Sequence, residues 1–224
     1  MKLISWNCNG AFRKKAHLLS SYNADIYIIQ ECENPDKFPF DDEFLNTYLP
    51  IWTGASDKRG LAIFLRKQRS VSNVCLNFPP FHDYIFATID GLHILGVWTH
   101  KPHYIEDLYD LLAKYSDTIP NNTVIAGDFN SNAIWDKSHK EKCHSNVVQV
   151  LKEKGIVSAW HTLNYVEHGK ETTSTHFFHK NIDNPFHIDY CFAPTEIVSN
   201  ISIGLFHEWI AYSDHMPLII SLKR

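Results

Sequence analysis

The sequence predicts an α/β fold in which layers of sheet and helix enclose a shared core. Three observations lead to it. Apolar, strand-like runs recur from one end of the chain to the other. Segments with helical spacing fall between some of them. Of the 224 residues 44% are hydrophobic, and no repeat, low-complexity tract or Gly/Ser-rich linker divides them. One domain over residues 1–224 is therefore expected.

Taken in order, the expected strands cover residues 3–6, 26–30, 61–65, 85–89, 93–99, 123–126, 187–192, 197–206 and 216–222. Gly91, between Asp90 and Leu92, punctuates two of these runs as a hairpin. Leu108, Leu111, Leu112 and Tyr115 keep the i, i+3, i+4, i+7 spacing of a helix with one buried stripe. Glu106 and Asp107 stand near its start, where the macrodipole favours anions. Val147, Val148 and Leu151 mark a second helix, opened by Ser145 as a cap and closed by Gly155.

Lys and Arg number 21 against 25 acidic residues, a formal net charge of −4, which excludes a strongly basic nucleic-acid coat protein. Basic clusters are local: Arg13-Lys14-Lys15, Lys58-Arg59, Arg66-Lys67 with Arg69, and Lys137, Lys140 and Lys142. Each could be an ordinary solvated face, but two of them flank polar motifs described below. No apolar stretch approaches the ~20 residues of a membrane span, and Met1 leads almost directly into an apolar run, without room for a signal peptide. The five Cys are odd in number and lack Cys-x-x-Cys spacing; Cys8, Cys32 and Cys191 fall on or beside expected strands. Buried reduced thiols and a cytoplasmic setting are expected, with no obligate protein partner.

Five polar motifs lie at or beside strand-like runs: Ser5-Trp6-Asn7-Cys8-Asn9-Gly10, Gln30-Glu31, Gly127-Asp128-Phe129-Asn130, His187-Ile188-Asp189-Tyr190 and Ser213-Asp214-His215. Strand ends can bring them to one rim. Oxygen ligands for a divalent cation, a carboxylate to orient water and a His paired with an Asp would together suit phosphoester hydrolysis. Glu31 follows four apolar residues and Gln30, so it is expected to emerge from a central strand end, where a carboxylate needs a cation. A helix cap or an ordinary ion pair is the plainer alternative. Asp128 and Asn130 are two apart and would point to the same side of an extended segment, with Phe129 turned into the core. A tight Asp-Asn turn would also account for them.

On these motifs the chain resembles the endonuclease/exonuclease/phosphatase superfamily, which includes deoxyribonuclease I-like and exonuclease III-like enzymes. The opening motif followed by Gln30-Glu31, then Gly-Asp-Phe-Asn, Ile-Asp-Tyr and Ser-Asp-His, falls in that family's order over nearly the whole chain. The resemblance implies a four-layered α/β sandwich of two packed mixed sheets flanked by helices. It implies that Glu31, Asn9 and Asp214 hold magnesium, with manganese as a substitute. By the same resemblance Asn7 contacts phosphate or water, Asp128 orients or deprotonates the attacking water, Asn130 positions water or phosphate, and His215 pairs with Asp189. His100 is expected to be a second catalytic His, with His103 as its competitor on the same loop. Arg13 and Lys14 are expected to contact phosphate. A zinc site built on His139, Cys143 and His144, or on His176 and His179, lacks recognised spacing. Trp135 would stack on a base or cover the core.

The implied activity is a magnesium-dependent phosphodiesterase acting on nucleic acid, DNA foremost, as endonuclease or exonuclease. Gln30-Glu31-Cys32-Glu33 departs from the Gln-Glu-Thr-Lys of abasic-site enzymes, which weakens a specialised repair role. The alternatives are a lipid headgroup or small phosphorylated metabolite as substrate, since one site serves many phosphoesters, and a non-catalytic nucleic-acid-binding module.

Overall fold

The computed structural model describes residues 1–40, 42–76 and 78–223. In chain order its strands are β1 (Lys2–Asn7), β2 (Ile26–Cys32), β3 (Tyr48–Ser56), β4 (Arg59–Arg66), β5 (Val71–Cys75), β6 (Tyr84–Ile89) and β7 (Leu92–Trp98). There follow β8 (Thr123–Asp128), β9 (Val157–Ser158), β10 (His176–Phe177), β11 (Pro185–Phe186), β12 (Asp189–Ala193), β13 (Val198–Ile203) and β14 (Leu218–Leu222). The helices are α1 (Ala16–Ser20), α2 (Asp42–Thr47), α3 (Ile105–Lys114), α4 (Asp136–His139), α5 (His144–Glu153), α6 (Ala159–Asn164) and α7 (Phe206–Trp209).

Two mixed sheets of six strands each run in the orders β13-β14-β1-β2-β4-β3 and β5-β6-β7-β8-β12-β9, and β10 pairs with β11 in a small ribbon. Each sheet contains one parallel pair, β1 with β2 and β7 with β8. Parallel neighbours require a crossover, and α1 and α3 lie within those two connections. The carboxyl ends of each parallel pair therefore share one edge, and that edge collects the polar motifs.

Three apolar clusters divide the molecule into four layers. Between the sheets, Leu3, Ile26, Ile28, Ile63 and Ile220 meet Ile85, Ile94, Val124, Ala126 and Cys191. The outer face of the first sheet packs Ile4, Tyr27, Ile29 and Phe64 with Leu19, Phe44 and Trp209 from its helices. On the second, Leu95, Ile125 and Phe192 meet Leu108, Leu111 and Leu112 of α3 and Val147 and Leu151 of α5. Truncating one such aliphatic side chain to Ala costs about 2–5 kcal/mol. This is the expected four-layered α/β sandwich.

The elements differ from expectation where turns interrupt the apolar pattern. The strand foreseen over 197–206 stops at Ile203, because Gly204 turns the chain into α7; a Cβ there would press on Trp209 and Pro217 at 2.8 and 2.7 Å. The run over 187–192 enters its strand only at Asp189, and that over 216–222 only at Leu218. Ser145 is inside α5 rather than capping it: Cys143 is the N-cap, and the Ser145 N–H donates to Asp136 Oδ1. Gly155, at φ +75, does follow that helix. Asp90 and Gly91, at φ 48 and 82, make the expected β6–β7 hairpin turn. The edge strand β3 contains Pro50, which an interior strand would not accommodate, and the edge strand β5 is largely exposed.

Candidate active site

Strand β8 ends at Asp128, paired in register with Asp189 at the start of antiparallel β12. The register sets two carboxylates side by side. Gly127 permits the approach of β8 to β7, since a Cβ there would overlap the Val97 carbonyl. From the other sheet, Asn7 at the end of β1 donates through Nδ2 to Asp128 Oδ2 at 2.9 Å and to Glu31 Oε1 at 3.4 Å. One amide thus joins the rims of both sheets.

Glu31 owes its direction to a bulge. The β2–β4 register shifts between Gln30 and Cys32, and Glu31 takes φ 57, the left-handed region, which re-aims its side chain into the cleft. Its Oε2 is buried without a hydrogen bond, and Arg59 Nη1 stands 3.1 Å away as a charged neighbour. Asn9, also at positive φ, donates through Nδ2 to Asp214 Oδ1 at 3.0 Å. Carboxylate and amide oxygens of this kind suit a hard divalent cation.

Asp128 and Asn130 do share one side, though through a turn rather than extended backbone. Asn130 has φ 44, its N–H donates to Asp128 Oδ1 at 2.8 Å, and its Nδ2 donates to Asp128 Oδ2 at 2.9 Å and to the Thr99 carbonyl at 2.8 Å. Phe129 between them is fully buried.

His215 Nδ1 faces both Asp189 oxygens, at 3.1 and 2.9 Å, and its Nε2 points towards Asp128 Oδ2 at 3.9 Å. Its backbone is fixed by the Trp6 indole N–H, which donates to its carbonyl, and by its own N–H donating to Ser213 Oγ. Thr175 Oγ1 in turn accepts from the Ile188 and Asp189 N–H groups. Burial opposes charge on His215, but the Asp189 and Asp128 carboxylates outweigh it and raise the imidazole well above its ordinary range. Burial raises the Asp128 carboxyl, with the His215 charge opposing. Asp214 is held down to about 2: burial works against this, and the hydrogen bond from His176 and the His215 charge prevail.

These groups line one cleft of about 760 Å³ that contains Asn7, Asn9, Glu31, Asp128, Asn130, Asp214 and His215. Aromatic and apolar walls come from Tyr104, Trp135, Phe178, Phe186 and Ile188. Trp135 faces Phe186 across 5.2 Å, so it borders the cleft instead of covering the core. Two overlapping groups, Asp128 with Asp189 and His215, and His176 with Asp214 and His215, could hold a metal ion.

Four expected residues do not line the cleft: Asp189, buried behind His215, and His100, Arg13 and Lys14, which lie apart from it. His100 borders a neighbouring cavity of about 650 Å³, which it shares with its competitor His103. Its Nε2 lies 2.9 Å from Asp83 Oδ2, and that hydrogen bond raises its pKa against the effect of burial. Arg13 turns towards Glu33, with Nη1 2.8 Å from Oε1 and the guanidinium over the Phe38 ring, outside the cleft lining. Lys14 is exposed and outside the lining.

Two residues named in the sequence for other reasons, His176 as a zinc candidate and Arg59 in a basic cluster, come close to the expected metal ligands. His176 lies with Nε2 3.6 Å from Asp214 Oδ2 and its ring 4.4 Å from that of His215, joined to it by an isolated β-bridge. Arg59 reaches Glu31 because β4 pairs with β2. Neither placement has a local signal. Both depend on strand pairing between distant segments.

A model of the Endonuclease/Exonuclease/phosphatase family matches residues 4–215. A comparison with curated proteins finds no match. Among solved structures, the chain is similar to a 3′-5′ exonuclease (NExo) from Neisseria meningitidis, at TM-score 0.75 and 20% identity, covering 100% of both chains. It is similar to an AP endonuclease from Archaeoglobus fulgidus at TM-score 0.75 and 17% identity, again covering 100% of both. The endonuclease domain of TRAS1, a telomere-specific non-LTR retrotransposon, gives TM-score 0.70 at 14% identity, covering 99% of this chain and 97% of that one.

Proposed function

The chain belongs to the endonuclease/exonuclease/phosphatase family, and from that premise we propose a magnesium-dependent phosphodiesterase that hydrolyses nucleic acid, DNA foremost, as an endonuclease or exonuclease. The observation that carries this reading is the line of groups Asn7, Asp128, His215 and Asp189, each within reach of the next across the meeting rims of two sheets. The structural neighbours include an exonuclease, an AP endonuclease and a 3′ phosphatase bound to a DNA hairpin, which supports this reading.

In-line attack needs a water oriented and deprotonated on one side of the phosphorus and charge stabilised on the other. Asp128 takes the proton, because burial makes its carboxylate a stronger base. Asn7 and Asn130 hold that carboxylate in place. His215, kept charged by Asp189, donates from Nε2 to a phosphate oxygen. Glu31, Asn9 and Asp214 would hold magnesium, with manganese as substitute, which would supply positive charge for the phosphate and make the attacking water more acidic. That none of the five cysteines forms a disulfide supports a reducing, cytoplasmic setting.

One observation favours a second reading, hydrolysis of a lipid headgroup or small phosphorylated metabolite. Among the described residues no Lys or Arg lines the cleft, and the nearby Arg59 is paired with Glu31, so few cations stand ready for a polyanion. A hydrolysis panel of plasmid DNA, abasic duplex, single-stranded DNA, RNA, sphingomyelin and inositol phosphates, with and without magnesium, separates the two. DNA cleavage only with magnesium is expected. Turnover of sphingomyelin or an inositol phosphate with all nucleic acids left intact would establish the second reading.

A further inference from the structure

Behind the opening of β12, outside the cleft lining, four imidazoles and a carboxylate meet from separate parts of the chain: His144, His161, His168, His187 and Glu171. His161 Nε2 lies 2.9 Å from Glu171 Oε1. The His168 ring stacks on that of His161, with centroids 3.6 Å apart and planes 10° from parallel. His144 and His187 are 0% and 4% exposed.

The second nitrogen of each ring is already engaged in a way that orients the first. His187 Nδ1 donates to the Thr173 carbonyl at 2.8 Å, which leaves Nε2 as a bare lone pair, and that atom is buried with no hydrogen-bond partner. His161 Nδ1 meets Ser158 Oγ at 2.7 Å, and His168 Nδ1 meets His144 Nε2 at 3.0 Å. Buried polar atoms rarely go without a partner. A backbone carbonyl behind the ring, as for His187, is a usual support of a metal-ligating histidine, and the hydroxyl and imidazole behind His161 and His168 fix those rings in the same way.

We propose that His161, His168 and Glu171 form a second metal site, distinct from the cleft, that takes Zn²⁺ with His187 Nε2 as fourth donor. The ligand atoms of the first three already lie within 4.8 Å of one another; His187 stands outside that group, its ring edge-on to that of His161 with centroids 5.4 Å apart, and has to turn in to complete the set. Zinc bonds of about 2.0–2.1 Å require these atoms to close in further, and the two stacked rings to splay so that both nitrogens face the ion. Three imidazoles and one carboxylate make a closed, nitrogen-rich set, whereas the cleft offers hard oxygens for magnesium. The consequence is mechanical. Glu171 Oε1 also accepts from Asn132 Nδ2 at 3.0 Å, and that amide donates to the His187 carbonyl and Tyr190 hydroxyl at 2.9 and 3.1 Å. The ion ties α6 and the 168–171 segment to the two stretches that carry Asp128 and Asp189.

The test is titration of the full chain, stripped with chelator, by zinc alone and by cobalt(II) alone, with metal analysis, visible spectra and thermal melts. One zinc per chain, an intense tetrahedral cobalt spectrum and a raised Tm are expected. These should survive Glu31→Gln and Asp214→Asn, be lost in Glu171→Gln and His161→Gln, and weaken roughly 10- to 100-fold in Ser158→Ala, which disturbs only the support of a ligand. Circular dichroism establishes that each variant is folded, and the wild-type cobalt spectrum decides even if one is not. A folded wild type that binds no stoichiometric zinc would overturn the proposal, leaving a stacked, hydrogen-bonded histidine cluster. Zinc binding abolished by Asp214→Asn would overturn it too, by placing the ion in the cleft.

Discussion

At the scale of residues, the proposed chemistry depends on how charge is arranged around His215. If Asp189 serves to orient and charge that imidazole, Asp189→Ala, His215→Ala and the double variant should lose similar activity, about 10²–10⁴-fold, instead of compounding losses. Rate measurements on all three check this, and additive losses would mean independent roles. The pH profile carries a sign. The folded imidazole titrates above its ordinary value of about 6.5, so the pair's stabilisation is complete below that pH and is lost as pH rises through the raised value. In Asp189→Asn the partner charge is gone and burial pulls the imidazole down. The alkaline limb of kcat/KM should therefore move to lower pH; an unmoved limb would assign it to another group.

Arg13 illustrates what a basic triplet in a sequence does not disclose. Glu33 is 2% exposed and accepts from the Phe12 and Arg13 N–H groups as well as from the Arg13 guanidinium, so the cation is committed to the fold. Because Arg13 itself is partly exposed, Arg13→Ala should cost only about 1–2 kcal/mol. It should leave the salt dependence of DNA binding unchanged. Lys14→Ala, at an exposed position, should flatten that slope by about 0.9 if Lys14 meets a phosphate. Melting curves and salt titrations distinguish the two.

At the scale of elements, strands with unbroken apolar runs were legible, while edges and turns were not. The runs of β1, β2, β4 and β8 bury both faces, and their sequences say so directly. Strands β3 and β5 are half solvated, so little in their residue types separates them from loops. Local chemistry also hid the bulge that aims Glu31, because a register shift belongs to the pairing of two strands and not to either alone. Gly127 is the most demanding position in these elements. Gly127→Ala should cost about 3 kcal/mol through its collision with the Val97 carbonyl. For a chain of this size that lowers Tm by roughly 6–12 °C, which calorimetry can read, and an unchanged Tm would mean that β7 and β8 separate without penalty.

At the scale of the whole molecule, the site exists because two parallel strand pairs in two packed sheets end at one edge. Each polar motif could be recognised from its own few residues and its place at a strand end. Their convergence could be anticipated only from family resemblance, since nothing in the spacing of Asn7 and Asp128 reveals a 2.9 Å hydrogen bond across 121 positions. The approach of His176 to Asp214, of Arg59 to Glu31 and of the imidazoles to Glu171 was hidden for the same reason. At this edge, on the function proposed, phosphodiesters are hydrolysed through Asp128 with magnesium. The most direct measurement is steady-state cleavage of duplex DNA over a magnesium titration by the wild type and by Asp128→Asn, which keeps the shape but removes the base. The account predicts magnesium-dependent turnover in the wild type and a loss of about 10²–10⁴-fold in the variant with Tm maintained; equal turnover by the two proteins, or wild-type cleavage indifferent to magnesium, would contradict it.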